Sequence, residues 1–286
     1  MGTIHDRMAE DLRLKNYAAG TKDQYLRCVG HFMDFFDQSP RGLSEGNIRS
    51  FLVHLTDKEK ASPPTVKMHV AAIRFLYSVT LRQPKKVANM LLPKVPHPLP
   101  DILSSSEVGH LLDAVDSFKH RVILMTAYGA GMRIGEACSL TTVDIDSKRM
   151  VIHIRHGKRG KDRYVMLSPV LLTALREYWR QFRPSGVELF PGDKPQSCVS
   201  QNAVRAAMKQ ALKKTGIKKR VTPHSLRHAF ATHLLEDGAD IRVIQELLGH
   251  GSIRSTARYT HVSTKHIAQT KSPLDRVSFN GGVTGA

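Results

Sequence analysis

Four separated stretches of the chain carry side chains able to work on a phosphate. They are Tyr128-Gly129-Ala130-Gly131-Met132-Arg133-Ile134-Gly135-Glu136, His156-Gly157-Lys158, His224-Ser225-Leu226-Arg227, and Leu248-Gly249-His250 with Tyr259 nine residues further on. Together they offer two guanidiniums, an ammonium, three imidazoles and two phenols, with neither a pair of carboxylates nor a thiol nucleophile among them. That inventory suits a phosphodiester. Two arginines bind non-bridging oxygens through charge-assisted bonds of roughly 1.5–3 kcal/mol each, and the bonds strengthen as charge builds on those oxygens. A phenol with a pKa of about 10 is phenolate in only about one molecule in a thousand at pH 7, at a cost of roughly 4 kcal/mol, so it needs a base and positive charge beside it.

Placement follows from local signals. Thr222 is a good N-cap, Pro223 fits the first helical position, and His224 follows in the first turn, at the positive end of the helix. His224 and Arg227 are three apart and share a face. The hairpin word HGKRGKD carries Lys158 and Lys161, either of which has the reach and chemistry to protonate a departing alkoxide. His224, His228 and His233 make no zinc site, because 228 and 233 are five apart and leave one helical face, and neither cysteine nor carboxylate completes the set. Gly129 and Gly131 lack the preceding strand and third glycine of a dinucleotide loop, and in GKRGKD an aspartate follows the lysine, unlike a P-loop.

The elements that must hold these residues are mostly helical. Thr21 caps a predicted helix with Tyr25, Val29, Phe32 and Phe36 on its apolar stripe; Ser44 precedes another with Ile48, Phe51, Leu52 and Leu55; Ser62-Pro63-Pro64 opens a third with Val66, Val70, Ile73 and Tyr77. Phe32, Phe35 and Phe36 read as core. Lys67 and Arg74, seven apart, share a different face of the third helix, which is either a solvated surface or a contact with DNA phosphate. The segment LLPKVPHPLP (91–100), with four prolines in ten residues, reads as an extended linker. Beyond it, Ser104 and Glu107 form a capping box ahead of Val108, Leu111, Leu112 and Val115, and a further helix runs through Val122 and Met125 towards Tyr128. MVIHIR (150–155) and RYVML (163–167) alternate like two strands joined by a glycine-bearing hairpin. Helices are then expected over 171–182, 200–214, 222–235 and 241–248, and around Tyr259. The predicted architecture is mainly α with one small β-sheet: a helical domain over 1–98, a mixed domain over 99–268 and a tail over 269–286.

Charge names the partner class. Lys and Arg total 43 against 25 acidic residues, a net charge of +18. The excess is +6 over residues 1–98 and +12 over 99–286, so both parts face a polyanion, most simply nucleic acid rather than a membrane surface. Arg205 and Lys209, one turn apart, and the patch Lys213, Lys214, Lys218, Lys219 and Arg220 are candidate contacts with the DNA backbone. No run approaches the roughly 18 apolar residues of a membrane span, and MGTIHDRMAEDL has neither the apolar core nor the cleavage site of a signal peptide. Cys28, Cys138 and Cys198 are widely spaced, which fits reduced thiols in a cytoplasmic protein.

The order Arg133, Lys158, His224-x-x-Arg227, His250, Tyr259, set in the words GMRIGE, HGKRGKDR, PHSLRHAFATHLL, LLGH and RYTHV, resembles the tyrosine recombinase (phage integrase) family over nearly the whole chain, most closely the compact Xer-type and mobile-element integrases. The resemblance implies an N-terminal core-binding domain and a catalytic domain that clamp double-stranded DNA at specific recombination sites, four protomers to a synapse. It implies that Tyr259 attacks the scissile phosphate to form a 3′-phosphotyrosyl link and release a 5′-hydroxyl, with no cofactor and no ATP, because bond energy is retained. Arg133 and Arg227 would hold the phosphate and Lys158, following Gly157 as in the family, would protonate the leaving oxygen. His224 would act as acid or base, His250 would position phosphate or nucleophile, and Glu136 would support the first arginine. Met132 stands where leucine is commoner, a packing difference. The alternatives are a type IB-like topoisomerase, which the compact N-terminal bundle disfavours, and a catalytically silent DNA-binding accessory protein, which the intact nucleophile and arginine pair disfavour.

Overall fold

The structure is a computed structural model that describes residues 3–36, 38–95, 101–155, 162–194, 196–249 and 256. The chain divides into two compact units, Met1–His97 and Pro98–Ala286.

The first unit is a helical bundle. Thr3 caps α1 (Ile4–Leu14) in a reciprocal box with Asp6, and Met8 and Leu12 point inward. In α2 (Ala19–Asp34) the cap differs from expectation. The helix starts two residues ahead of Thr21, with Ala18 in extended conformation as N-cap, and the Thr21 amide already donates to the Ala18 carbonyl. Tyr17 packs on Tyr25 and Phe75, which fixes the turn just before Ala18 and leaves Thr21 inside the first helical turn. Ser44 caps α3 (Glu45–Asp57) with Asn47 as its reciprocal partner, and Ile48, Phe51 and Leu55 are buried. α4 (Pro63–Phe75) follows Ser62, burying Val66, Val70 and Ile73.

Past Phe75 the helix widens into a π-turn over Leu76–Thr80, which turns Leu76, Tyr77 and Thr80 into the core; the Tyr77 hydroxyl donates to the Pro40 carbonyl at 2.7 Å. Of the three phenylalanines read as core, Phe32 is fully buried but Phe35 is 39% exposed. It falls at the C-cap of α2, where the chain leaves the helix, and lies edge-on to Phe36 and Phe51 at the rim.

The second unit wraps one large apolar core. Ser104 and Glu107 form the expected box at the start of α5 (Ser105–Asp113), and α6 (Phe118–Gly129) follows with Val122, Ile123 and Leu124 buried. A five-residue helix, α7 (Ile134–Cys138), was not foreseen from periodicity, since it is too short to display any. β1 (Ile145–Asp146), β2 (Val151–Ile154) and β3 (Arg163–Met166) form an antiparallel sheet in that order, with Ile152 opposite Val165 and both buried. The two longer strands match the alternating segments; β1, at two residues, left no pattern to read. α8 (Pro169–Phe182), α9 (Gln201–Thr215), α10 (Pro223–Glu236) and α11 (Ile241–Leu248) complete the described elements. Every residue from Ser225 to Thr232 is buried, so α10 runs through the interior between α6 and α11.

Candidate active site

The site grows out of a tight turn. After α6 the backbone of Gly131 takes φ +60°, and a Cβ there would stand 2.4 Å from two ring carbons of Phe230 on α10, so only glycine allows the approach. The turn delivers Arg133 to the N-cap of α7 and aims the Gly131 carbonyl at α10, where it accepts a hydrogen bond from Arg227 Nη1 at 2.6 Å.

Glu136, one turn into α7, gathers the charges. Its carboxylate accepts from the Arg133 amide (2.8 Å) and Arg133 Nη1 (2.7 Å), and lies 3.9 Å from Arg227 Nη1. It also accepts both terminal nitrogens of Arg163, Nη1 to Oε1 at 3.0 Å and Nη2 to Oε2 at 2.7 Å. Burial alone would raise the Glu136 pKa. The Arg163 fork and charge, with the Arg133 amide and guanidinium, outweigh it and bring the pKa down to about 2. Three guanidiniums around one carboxylate leave local positive charge, as a phosphate requires.

The two arginines differ in access. The Arg133 side chain is 29% exposed, whereas Arg227 is fully buried and donates to the Gly131 and Leu248 carbonyls. Two carbonyls at the C-terminal end of α11 therefore receive guanidiniums, Leu248 from Arg227 and Leu247 from Arg163 Nε at 2.9 Å. α11 ends at Gly249 with φ +60°, and a Cβ at that position would meet Arg163 Cδ at 3.1 Å.

His224 is exposed in the first turn of α10, its ring edge-on to that of His228 with centroids 4.4 Å apart. His233 has a structural part. Nε2 lies 3.0 Å from the Leu103 carbonyl and Nδ1 2.9 Å from the Tyr128 hydroxyl, joining α10 to α6 and to the strand of chain ahead of α5. Burial raises the Tyr128 phenol pKa, which keeps that hydroxyl neutral and unsuited to attack. Among the described residues no group of histidine, cysteine and acidic side chains could hold a metal ion. Lys158, Lys161, His250 and Tyr259 lie outside the described residues.

The basic residues read as DNA contacts divide. Arg74 donates to the Met90 carbonyl at 2.7 Å, Lys214 pairs with Asp116, and Lys219 with Glu107 and the Ile102 carbonyl. These have structural partners. Arg205 is exposed and bonded to Gln201 and Asn202 on its own helix, and Lys67, Lys209, Lys213, Lys218 and Arg220 present exposed side chains.

Arg163, at the first position of β3, joins the site without having stood out among the sequence candidates. A signal existed. Arg163 is in phase with Val165 and Leu167, the buried face of β3, and a cation on the inward face of a strand requires an acidic partner.

A helical bundle is followed by a mostly helical domain with a three-stranded sheet, in which two arginines drawn from distant stretches meet at one carboxylate and form a cationic site suited to phosphate. The chain belongs to the phage integrase family: residues 101–266 match that family and residues 4–86 match the phage integrase N-terminal SAM-like domain. It is a tyrosine-type site-specific recombinase, an enzyme that breaks and rejoins DNA. It is 46% identical over 276 residues to a protein of Sinorhizobium fredii named "Putative integrase/recombinase y4qK", covering 96% of this chain and 89% of that one. Against the tyrosine recombinase XerA of Pyrococcus furiosus it is 33% identical over 273 residues, 93% of each chain. The fold is also that of a solved lambda integrase dimer bound to a COC′ core site, with a TM-score of 0.74 over 94% of this chain and 97% of that one at 17% identity.

Proposed function

We propose that Tyr259 is the nucleophile, attacking the scissile phosphate to form a 3′-phosphotyrosyl bond while the 5′-oxygen leaves. Arg133 and Arg227 stabilise the non-bridging oxygens as charge develops on them. Lys158 donates the proton to the leaving oxygen, His224 acts as acid or base from the positive end of α10, and His250 positions the phosphate or nucleophile. Glu136 stays ionised and orients the guanidiniums without touching DNA. The rejoining step is the reverse attack by a 5′-hydroxyl of another strand on the phosphotyrosine, so phosphodiester energy is conserved. What supports this reading is the carboxylate of Glu136, held by Arg133 and within 3.9 Å of Arg227, which joins two arginines 94 positions apart in sequence into one cationic site.

The working unit is four protomers on two DNA sites, each gripping its site through a helical domain over 1–98 and a catalytic domain over 99–268. A mobile DNA element is the substrate that the likeness to other integrases supports, and the cytoplasm is where the enzyme meets it. No described helix is long and apolar enough to cross a membrane.

The test is a duplex selected by binding from a random pool and nicked near its centre. Wild-type protein should form an adduct that survives a denaturing gel, and mixing two such duplexes should give synapses whose mass corresponds to four protomers. Synapses of two protomers, with adducts still formed, would leave the chemistry standing and remove the tetramer.

A further inference from the structure

We infer that Arg163 is a positioning residue for strand cleavage, gripping Glu136 with its guanidinium fork and the Leu247 carbonyl with Nε, so that α7, α10 and α11 share one register. The inference rests on the proposal that Arg133 and Arg227 bind the scissile phosphate.

All three nitrogens of the Arg163 guanidinium are engaged within the site. Nη1 and Nη2 meet the two oxygens of Glu136, which fixes the plane of that carboxylate. The remaining acceptor sites of the carboxylate then point at the amide and Nη1 of Arg133, and Arg227 Nη1 lies 3.9 Å away. Nε reaches the last turn of α11, whose next carbonyl is taken by Arg227. The stem packs where Gly249 has no side chain. Arg163 thus touches or adjoins the support of both arginines, with its side chain 8% exposed and its guanidinium bonded to Glu136 and the Leu247 carbonyl.

Stability alone does not call for such a group. A buried ion pair is often replaceable by apolar residues without loss, and the inward phase of β3 would take valine or leucine as readily. The planar fork supplies direction, which a lysine ammonium lacks. Misplacement of a catalytic group by about 1 Å costs up to about 10²-fold in rate.

The experiment measures single-turnover adduct formation on the nicked duplex from pH 5 to 8, with DNA affinity and thermal melting alongside, for Arg163→Met, Arg163→Lys, Glu136→Gln and the double variant Arg163→Met/Glu136→Gln. The charged groups facing Glu136 are Arg133, Arg163 and Arg227, so removing the fork lets its carboxyl protonate at higher pH. We expect Arg163→Met to bind DNA within about 3-fold of wild type and cleave about 30- to 100-fold more slowly, with an acid limb shifted upward. Arg163→Lys should recover part of the rate, and the double variant should be no slower than Glu136→Gln. Folded Arg163→Met cleaving at the wild-type rate, or the same Arg163 loss in the Glu136→Gln background, overturns the inference. Should Arg163→Met fail to fold, Arg163→Lys decides: a slower rate with the shifted acid limb supports it, a wild-type rate and profile overturns it. Arg133→Ala run in parallel separates the two readings. If that variant cleaves normally, the arginine clamp itself is wrong, whatever Arg163 does.

Discussion

At the scale of single residues the site is an electrostatic arrangement around Glu136. Its carboxyl is held at about 2 against an ordinary value of 4.5, so it contributes stability that is fully present above the ordinary carboxylate range and is lost as pH falls towards 2, about 3 kcal/mol in all. A Glu136→Gln variant should therefore be less stable than wild type at pH 7, with the gap narrowing as pH falls from about 5 towards 2 in urea titrations; a gap independent of pH contradicts the ion network. Arg133→Ala should lower adduct formation by about 10²- to 10³-fold while DNA affinity in a gel-shift assay changes little, because other basic residues hold the backbone. Equal losses of binding and cleavage would argue that Arg133 is only a DNA contact. Arg227→Ala should show a second effect. That guanidinium is fully buried on two carbonyls, and its removal should cost about 3–5 kcal/mol of folding stability as well as activity.

At the scale of elements, turns matter as much as helices. Gly131→Ala places a methyl 2.4 Å from the Phe230 ring at φ +60°, and should cost about 2–4 kcal/mol by chemical denaturation; a change under about 0.5 kcal/mol would mean the turn is not as tight as described. Much of this level was legible from residues alone. Ser44 ahead of α3, the box at Ser104, Pro223 at the start of α10 and the alternation of β2 and β3 all announce themselves locally. The start of α2 did not, because aromatic packing around Tyr17 overrode the cap preference of Thr21. The π-turn at Leu76, the five-residue α7 and the two-residue β1 are set by tertiary contacts rather than by a period. Arg163 was hidden for a related reason: a sequence shows that a cation lies in an inward phase, but not which carboxylate meets it.

At the scale of the whole molecule, charge is the governing quantity. A net +18 shared by both parts of the chain predicts strongly salt-dependent DNA affinity, the logarithm of the binding constant falling by about 0.9 per neutralised phosphate for each logarithm of salt. The exposed Lys213, Lys218 and Arg220 should each lower that slope by about 1 when changed to alanine, whereas Lys219, paired with Glu107, should change folding stability instead. Identical effects for all four would mean the ion pair is not formed in solution. The proposed catalytic set is a pattern spread over 127 positions of the sequence, from Arg133 to Tyr259. The approach of Arg227 to Glu136 depends on α10 passing through the core, which its sequence, with three histidines and an arginine in 14 residues, does not announce as an apolar run.

The central claim is covalent catalysis by Tyr259. The direct measurement incubates wild type and Tyr259→Phe with the selected nicked duplex, labelled on the strand that would keep the phosphotyrosine, and resolves the products on a denaturing gel. The wild type should give a protein-linked, slowly migrating band that protease converts to a shorter adduct, and the variant should bind the duplex with unchanged affinity and give none. An adduct of equal yield from Tyr259→Phe, or no adduct from either protein on a duplex that both bind tightly, contradicts the account.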